Sequence, residues 1–458
     1  MDEKLILEKI GLMKKFQKEK RMLRVKDRKQ SLKKLYQNIK LNIGKITEAL
    51  HKDLNKSEVE SYMTEIGLVL NEISYMIKHC RKFSKIKKVV TPLSQFHAKS
   101  FQMPCPYGCV LVISPWNYPF MLAIEPIIDA VAAGNSVLLK PSEISPYTSK
   151  VVAEIINETF ERGHVEVVEG GKEECSFLLE QDFDYIFYTG STRVGKIVMQ
   201  KAAENFTPVT LELGGKCPCI VDETANMSLA ARRIVFGKFL NCGQTCVAPD
   251  YVYCHSKIKD KLIKEIEKEI VRQYGISSIE NKDYPRLINL KQFNTMKSFI
   301  KEDNLIFGGK FDEERLKIEP TLISSTFDDE SMQDEIFGPI LPIVTFDSLD
   351  EAVENINNYP KPLALYIFST SKSNQDKVLN YCDFGGGCIN DTIIHIAGSR
   401  LGFGGLKQSG MGSYHGKAGF DTFTHYKSMV DKKNWLDLPM RYQPYSKLKY
   451  KIIKLFLK

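Results

Sequence analysis

The most reactive candidate side chain in this sequence is a cysteine thiol in a short polar loop. The segment 241–249, which contains Cys242 and Cys246, lies between a predicted helix and a predicted strand. A thiol in such a loop can be partly exposed and can face backbone N–H groups, which favour the nucleophilic thiolate. Cys246 is therefore the candidate nucleophile, and Cys242, nearer the helix, is the expected packing residue. A loop cysteine can equally be a small structural residue, so the loop alone does not decide its role.

A nucleophilic cysteine needs a base or a group that activates water, and here a carboxylate is the candidate. The only histidine within twenty residues of Cys246 is His255, which falls in a predicted strand. Glu212 is a single charge at the end of an apolar strand, and Gly214 and Gly215 follow it. The glycines suggest that something approaches the backbone closely. Glu212 is thus either paired structurally or held at a cleft, where it could act as a base.

A rigid turn after another predicted strand carries an amide. Trp116 and Asn117 lie in the segment 114–119 between two prolines, and Trp116 is one of only two tryptophans. The Asn117 amide could stabilise an oxyanion. The alternative is a turn with a purely structural role.

Two more strand ends carry groups that suit a nucleotide. Lys140 and Glu143 follow a strand directly, where ligands bind in open α/β sheets, although they could also form an exposed turn. Gly190 and Ser191 precede a predicted helix whose N-terminus could bind a phosphate or simply be capped. The turn is not G-x-G-x-x-G, so the usual dinucleotide fingerprint is absent.

The elements that must position these residues alternate between strands and helices. Residues 3 to about 88 are predicted to be helical. A first α/β unit follows, with a helix over 146–162 that Ser145 is expected to cap and Gly163 to end, and the alternation restarts near Thr210. This order predicts parallel, doubly wound sheets in two units of similar size. The predicted strands are 109–114, 136–139, 165–168, 185–188, 219–221, 251–253, 341–346 and 363–368.

Composition excludes several classes of protein. The chain has 458 residues, 43% of them hydrophobic and 26% charged, with a net charge of +8, which is ordinary for a soluble globular protein and does not by itself indicate nucleic acid. No run reaches the ~20 apolar residues that a membrane span needs. The eleven cysteines follow no secretory segment, so we expect free thiols and a cytoplasmic location. Their spacing predicts no metal site.

The motifs taken together resemble the aldehyde dehydrogenases. Six short motifs occur in the order seen in that family: 115–119 (PWNYP), 140–143 (KPSE), 189–192 (TGST), 211–216 (LELGGK), 243–246 (GQTC) and 335–339 (EIFGP). The segment 410–417 (GMGSYHGK) resembles the class 3 branch, which is NAD(P)-dependent and dimeric. The resemblance covers nearly the whole chain and is thinnest before residue 90 and after Trp435.

The resemblance implies a role for each matching position. Cys246 would attack the aldehyde carbon, and the Asn117 amide and the Cys246 backbone N–H would hold the oxyanion. Hydride transfer to the nicotinamide would leave a thioester, which water activated by Glu212 would hydrolyse. The expected cofactor residues are Trp116, Lys140, Glu143, Gly190, Ser191, Glu335 and Phe337.

The resemblance also implies an organisation into parts. Residues 1–88 and 105–211 would form the NAD-binding domain, 212–396 the catalytic domain, and 89–104 with 397–431 a β-arm that pairs two protomers in a homodimer. Because Glu143 would repel a 2′-phosphate, we expect NAD to be preferred with some use of NADP. The rival functions are a CoA-acylating relative, which Glu212 disfavours, and a catalytically silent scaffold protein. The sequence does not identify the aldehyde; the class 3 resemblance suggests aliphatic or aromatic aldehydes of medium to long chain.

The C-terminal tail, 432–458, is basic and amphipathic. Leu448, Ile452, Leu455 and Phe456 recur at helical spacing among Lys447, Lys449, Lys451, Lys454 and Lys458. Such a helix can lie in an anionic membrane interface but is too short to span it. The alternative is a helix packed on its own or the partner subunit.

Overall fold

The computed structural model describes residues 2–457, and its strands fall into three main sheets and one short hairpin. In chain order the strands are β1 (Lys87–Val89), β2 (Ala98–Pro106), β3 (Cys109–Ile113), β4 (Ser136–Lys140), β5 (Val165–Val167), β6 (Tyr185–Thr189), β7 (Val209–Glu212), β8 (Pro218–Val221), β9 (Tyr251–His255), β10 (Leu305–Phe307), β11 (Phe311–Asp312), β12 (Lys317–Ile318), β13 (Thr321–Ser324), β14 (Ile340–Phe346), β15 (Ala364–Phe368), β16 (Gly386–Ile389), β17 (Gly410–Met411) and β18 (Thr424–Lys432).

Sixteen α-helices accompany the strands over residues 2–457, and the last of them lies in the C-terminal tail and has no buried residue. They are α1 (Glu3–Lys18), α2 (Val25–Leu41), α3 (Ile43–Leu54), α4 (Glu58–Ser61), α5 (Gly67–Phe83), α6 (Met121–Ala133), α7 (Pro146–Thr159), α8 (Lys172–Leu179), α9 (Thr192–Glu204), α10 (Met227–Phe239), α11 (Lys259–Tyr274), α12 (Leu290–Ser298), α13 (Leu349–Asn358), α14 (Lys372–Tyr381), α15 (Gly416–Thr422) and α16 (Lys447–Phe456). A π-helical turn, Tyr62–Ile66, joins α4 to α5.

The first large sheet has the strand order β17-β7-β6-β3-β4-β5, and all its strands except β17 are parallel. Alternate residues of β3 show how both faces are buried. Leu111 packs in a cluster with Ile6 and Ile10 of α1 on one face, and Val110 packs in the cluster that contains Ile127 of α6 on the other. Continuous apolar strands are what a parallel sheet covered on both faces requires.

The second large sheet and the arm complete the fold. The second sheet has the order β10-β13-β14-β9-β8-β15-β16, with only β10 antiparallel. Strands β1, β2 and β18 form a separate antiparallel sheet, in which β18 pairs with β2 along nine residues. The predicted α/β fold with two parallel-sheet units and a β-arm is confirmed, whereas the predicted domain boundaries stay a prediction.

Two local details differ from the sequence prediction. The helix predicted over 146–162 ends at Thr159, and the Ser145 side chain makes no capping bond. The Asp53 carboxylate instead accepts from the backbone N–H groups of Tyr147 and Thr148, at 3.3 and 2.8 Å, so a distant residue caps the helix. Helix α6 was not predicted, because all thirteen of its residues are buried and no polar face reveals its period.

Candidate active site

The predicted strand-end residues lie at one edge of the first sheet. Strands β3, β4, β6 and β7 are neighbours and run parallel, so their carboxyl ends meet there. Two buried hydroxyls at this edge, Ser114 Oγ and Thr189 Oγ1, have no hydrogen-bond partner within residues 2–457. Burial without a partner is unfavourable for a hydroxyl, so these groups are available to a ligand at the carboxyl edge.

The loop that carries Cys246 has an unusual backbone at its start. Asn241 and Cys242 have φ values of 52° and 54°, in the left-handed region that non-glycine residues rarely adopt. Gly243 follows with φ +76°, and a Cβ there would lie 2.2 Å from the Gly338 carbonyl oxygen. This tight path leaves Cys246 partly exposed, while Cys242 is fully buried with its Sγ 3.5 Å from the Tyr284 hydroxyl. Cys242 is therefore a packing residue, as predicted.

The surroundings of the Cys246 thiol act against the thiolate that the loop composition suggested. Desolvation raises its pKa far above the ordinary thiol value, and the carboxyl groups of Glu335 and Glu212 raise it further. The backbone N–H groups of Cys246 and Val247 act in the opposite direction but do not outweigh burial. The thiolate therefore needs a base or added positive charge in the pocket.

Asn117 is held beside the cysteine loop. It is buried, and its Nδ2 donates to the Gln244 carbonyl oxygen at 3.1 Å, two residues before Cys246. The next residue, Tyr118, bonds through its hydroxyl to Thr245 Oγ1 at 2.6 Å. The 114–119 turn and the cysteine loop are thus tied together twice, and Asn117 retains a second amide hydrogen for a ligand.

Glu212 is a buried carboxyl without a hydrogen-bond partner. It is 2% exposed at the end of β7, and neither carboxyl oxygen has a partner within residues 2–457. Desolvation raises the pKa of Glu212 well above its ordinary value. Its charge also raises the pKa of the Cys246 thiol, so the two groups lie close enough to interact. Glu212 is therefore not paired structurally with any described residue, and structural pairing was one of the two alternatives that the sequence left open.

Glu335 is a second carboxyl group close enough to affect the Cys246 thiol. The Glu335 carboxyl lies against Gly214, where a Cβ would come within 1.9 Å of Oε2, and it accepts a bond from the Gly215 N–H. Burial, reinforced by the charge of Asp250, raises the pKa of Glu335 to about 8. Beyond it, the Phe337 ring meets the Trp116 ring edge to face, with centroids 5.3 Å apart.

The predicted ribose ligands form an ion pair. Lys140 Nζ lies 2.5 Å from Glu143 Oε2, with the lysine buried and the carboxylate 47% exposed. After β6, which is separated from β4 by β3, Ser191 caps α9 by accepting from the Val194 N–H at 3.4 Å. The edge thus offers the Lys140 ammonium group, the Glu143 carboxylate and the unpartnered hydroxyls of Ser114 and Thr189. These hydrogen-bond donors and acceptors fit a dinucleotide.

Lys216 is a residue of the site for which the sequence predicted no role. Lys216 binds the Asp250 carboxylate and the carbonyl oxygens of Ser331 and Asp334, at 2.7 and 2.9 Å to the carbonyls, and so holds the loop before Glu335. The position of Lys216 in a matching motif was a signal, but its partners come from distant segments. Within residues 2–457, no cluster of three His, Cys, Asp or Glu side chains is arranged to hold a metal ion.

Comparison with known proteins places this site in a family. The aldehyde dehydrogenase family model matches residues 2–429. The chain is 50% identical over 434 residues to 4,4′-diaponeurosporen-aldehyde dehydrogenase of Staphylococcus aureus, covering 94% of each chain. It is 40% identical to aldehyde dehydrogenase family 3 member A2 of Mus musculus, covering 94% of this chain and 90% of that one.

A solved structure agrees with these matches. The structure described as the substrate-bound state of Staphylococcus aureus AldH superposes with a TM-score of 0.97 at 49% identity, over 99% of each chain. The resemblance found in the sequence motifs is thereby confirmed. The chain belongs to the aldehyde dehydrogenase family, and it is an oxidoreductase that oxidises aldehydes with NAD(P).

Proposed function

We propose that this enzyme converts an aldehyde to a free carboxylic acid through a thioester on Cys246. The observation that carries the proposal is the unpartnered Glu212 carboxyl, buried and close enough to perturb the Cys246 thiol. The Cys246 thiol would lose its proton to solvent water, and its sulfur would attack the aldehyde carbon to form a tetrahedral thiohemiacetal. The free Asn117 amide hydrogen and the Cys246 backbone N–H would then stabilise the negative oxygen.

The residues at the strand ends would hold the cofactor. The cofactor held there would supply the acceptor for the hydride that leaves the substrate carbon, so that a thioester would remain on Cys246. Lys140 and Glu143 would bind the adenosine ribose, and Glu335 the nicotinamide ribose. Gly190 and Ser191 would lie beside the diphosphate, and Trp116 with Phe337 would border the nicotinamide end.

Glu212 distinguishes hydrolysis from transfer to CoA. As a base, it would take a proton from water while the oxygen attacks the thioester carbon, releasing the acid and the Cys246 thiol. A water activator serves no purpose when CoA is the acceptor. NADH production measured with and without CoA tests this: an equal rate and a free acid support hydrolysis, whereas dependence on CoA and an acyl-CoA product would refute it.

The substrate we propose is an apolar aldehyde of medium to long chain. The support is the 50% identical Staphylococcus aureus relative, whose name specifies a diaponeurosporen aldehyde. A panel of aliphatic aldehydes of increasing length and one aromatic aldehyde, each assayed with NAD and NADP, tests the assignment. Rising kcat/KM with chain length supports it, and a preference for short polar aldehydes would overturn it.

We propose that two copies pair through the β-arm and that the enzyme is cytoplasmic. The arm exposes apolar side chains, among them Val430 of β18 at 50% and Val90, directly after β1, at 94% exposure. An apolar strand surface of this kind is typical of an interface. The eleven cysteines are free, which is compatible with a reducing compartment. Sedimentation equilibrium of the purified chain tests the dimer.

We further propose that the tail contacts an anionic membrane surface. Helix α16 has no buried residue, and Leu448 and Leu455 are 68% and 66% exposed. Its predicted residues from Lys447 to Phe456 are helical, while Lys458 lies outside the described residues. Over residues 2–457, no helix has the length and apolar character to cross a membrane. Exposed leucines among lysines suit a helix that lies in the interface.

Vesicle sedimentation tests the tail. The full chain should pellet with anionic vesicles at low salt and release at high salt, and a chain truncated after Pro444 should stay in solution. Neutral vesicles serve as the control for charge. Equal behaviour of the two chains would assign α16 to packing on protein.

A further inference from the structure

A buried ion pair lies directly behind the Asn117 turn. Lys56, in the loop between α3 and α4, places Nζ 2.6 Å from Glu65 Oε1, and both side chains are 0% exposed. Removing two charges from water is costly, so such a pair is weak evidence for stability alone. Its position at the site suggests that it has a second role.

The Lys56 ammonium group contacts two groups of the 114–119 turn. Besides Glu65, Nζ donates to the Asn117 carbonyl oxygen at 3.2 Å and lies 4.0 Å from the centre of the Tyr118 ring. The first contact is a hydrogen bond, and the second is a cation–π interaction. Lys56 therefore fixes the backbone of Asn117 and the ring of Tyr118 at once.

Glu65 holds the other end of the same turn. Its Oε2 accepts from the backbone N–H groups of Phe120 and Met121, at 2.9 and 3.0 Å. These N–H groups lie at the N-terminus of α6, where a carboxylate also favours the helix dipole. The ion pair therefore holds the backbone at Asn117, Phe120 and Met121, where the chain leaves the turn and enters α6.

Asn241 joins this pair to the cysteine loop. Its Nδ2 donates to the Asn117 carbonyl oxygen at 2.8 Å and to the Gln244 carbonyl oxygen at 3.1 Å. The Asn117 amide donates to the same Gln244 oxygen. The left-handed conformation of Asn241 brings its side chain to this point. One continuous network therefore runs from Glu65 and Lys56 to the residue two positions before Cys246.

We propose that Lys56, held by Glu65, is a positioning residue for the oxyanion site. By fixing the Asn117 backbone, it directs the free amide hydrogen of Asn117 toward the oxygen of a substrate on Cys246. The proposal rests on the proposed role of Asn117. A misplacement of about 1 Å can cost roughly 100-fold in rate, so loss of Lys56 should slow the step in which the oxyanion forms.

A paired substitution tests the role without leaving an unpaired charge. Lys56→Met alone would leave the Glu65 carboxylate buried and unpaired, which destabilises the fold. Lys56→Met/Glu65→Gln removes both charges, and the glutamine oxygen can still accept from Phe120 and Met121. We expect the rate of its single-turnover NADH burst to fall about 10- to 100-fold. Its KM for NAD should stay within about twofold of the wild-type value. Lys9→Met, which breaks a partly buried pair with Glu166 (4.0 Å) on the outer face of the first sheet, is the control and should keep the wild-type burst.

A double-mutant cycle separates positioning from general structure. Asn117→Ala should itself slow the burst about 100- to 1,000-fold. In the Asn117→Ala background, the Lys56/Glu65 substitution should add less than about threefold, since its target is gone. The proposal fails if the paired variant has a wild-type burst, or if its full loss persists in the Asn117→Ala background. Full activity of Asn117→Ala would refute the role of Asn117 itself, which is a separate outcome.

Discussion

Replacing Glu143 by glutamine should shift the enzyme from NAD toward NADP. The Glu143 carboxylate is 47% exposed at the end of β4, and Lys140, 2.5 Å away, neutralises part of its charge. A ribose with a free 2′-hydroxyl can donate to this carboxylate. A 2′-phosphate brings further negative charge to the same place and is repelled.

The size of the shift follows from the charges. A phosphate of charge near −2 placed about 6 Å from one carboxylate in a water-like dielectric is repelled by about 1.4 kcal/mol, a factor of about ten. The repulsion is smaller than this value, because solvent screens the half-exposed carboxylate and Lys140 offsets part of its charge. Loss of a charge-assisted hydrogen bond to the 2′-hydroxyl weakens NAD by a further factor of up to about ten. The ratio of kcat/KM for NADP over that for NAD should therefore rise about 10-fold and by less than about 100-fold.

The assay is the initial rate of cofactor reduction with each cofactor at one saturating aldehyde. Glu158→Gln, an exposed carboxylate on α7 of the same unit, is the matched control and should leave the ratio within about twofold. An unchanged ratio in Glu143→Gln would refute the ribose role of Glu143. A wild-type preference for NADP of tenfold would refute it as well.

Three further predictions concern the cysteine loop and its base. Cys246→Ser should abolish aldehyde oxidation, because a hydroxyl is a far weaker nucleophile near neutral pH, and full turnover would move the nucleophile elsewhere. Cys242→Ser should retain substantial activity, since Cys242 is buried against Tyr284; a dead but folded variant would contradict this. Hydrolysis of the thioester should accelerate as pH rises above the ordinary range of a glutamate and through the raised pKa of Glu212. The reason is that burial raises the pKa of Glu212 and only the carboxylate can take a proton, so a flat single-turnover profile would exclude it as the base.

The sequence predicts the features that depend on local hydrophobic pattern and on short motifs. Strands β3, β4, β6 and β14 match the predicted segments to within a residue or two, because their apolar runs end at polar strand-end groups. The strand-end residues Asn117, Lys140, Ser191 and Glu212 meet at one edge because parallel neighbours share their direction.

What the sequence did not predict depends on contacts between distant segments. Asp53 caps a helix 94 residues later, and Lys56 reaches Asn117 across 61 residues, so no local pattern identifies either. The raised pKa of Cys246 depends on burial and on two carboxyl groups from other segments, whereas the loop composition alone suggested a thiolate.

The division of labour between Cys246 and Glu212 is tested most directly by a burst experiment on Glu212→Gln with aldehyde in excess over enzyme. The variant should produce a burst of NADH equal to the concentration of enzyme active sites and then stop, whereas the wild type continues to turn over. Mass spectrometry of the digested protein should find the acyl group on the peptide that contains Cys246. Steady-state turnover at the wild-type rate, or an acyl group on a different cysteine, would contradict the division of labour between Cys246 and Glu212.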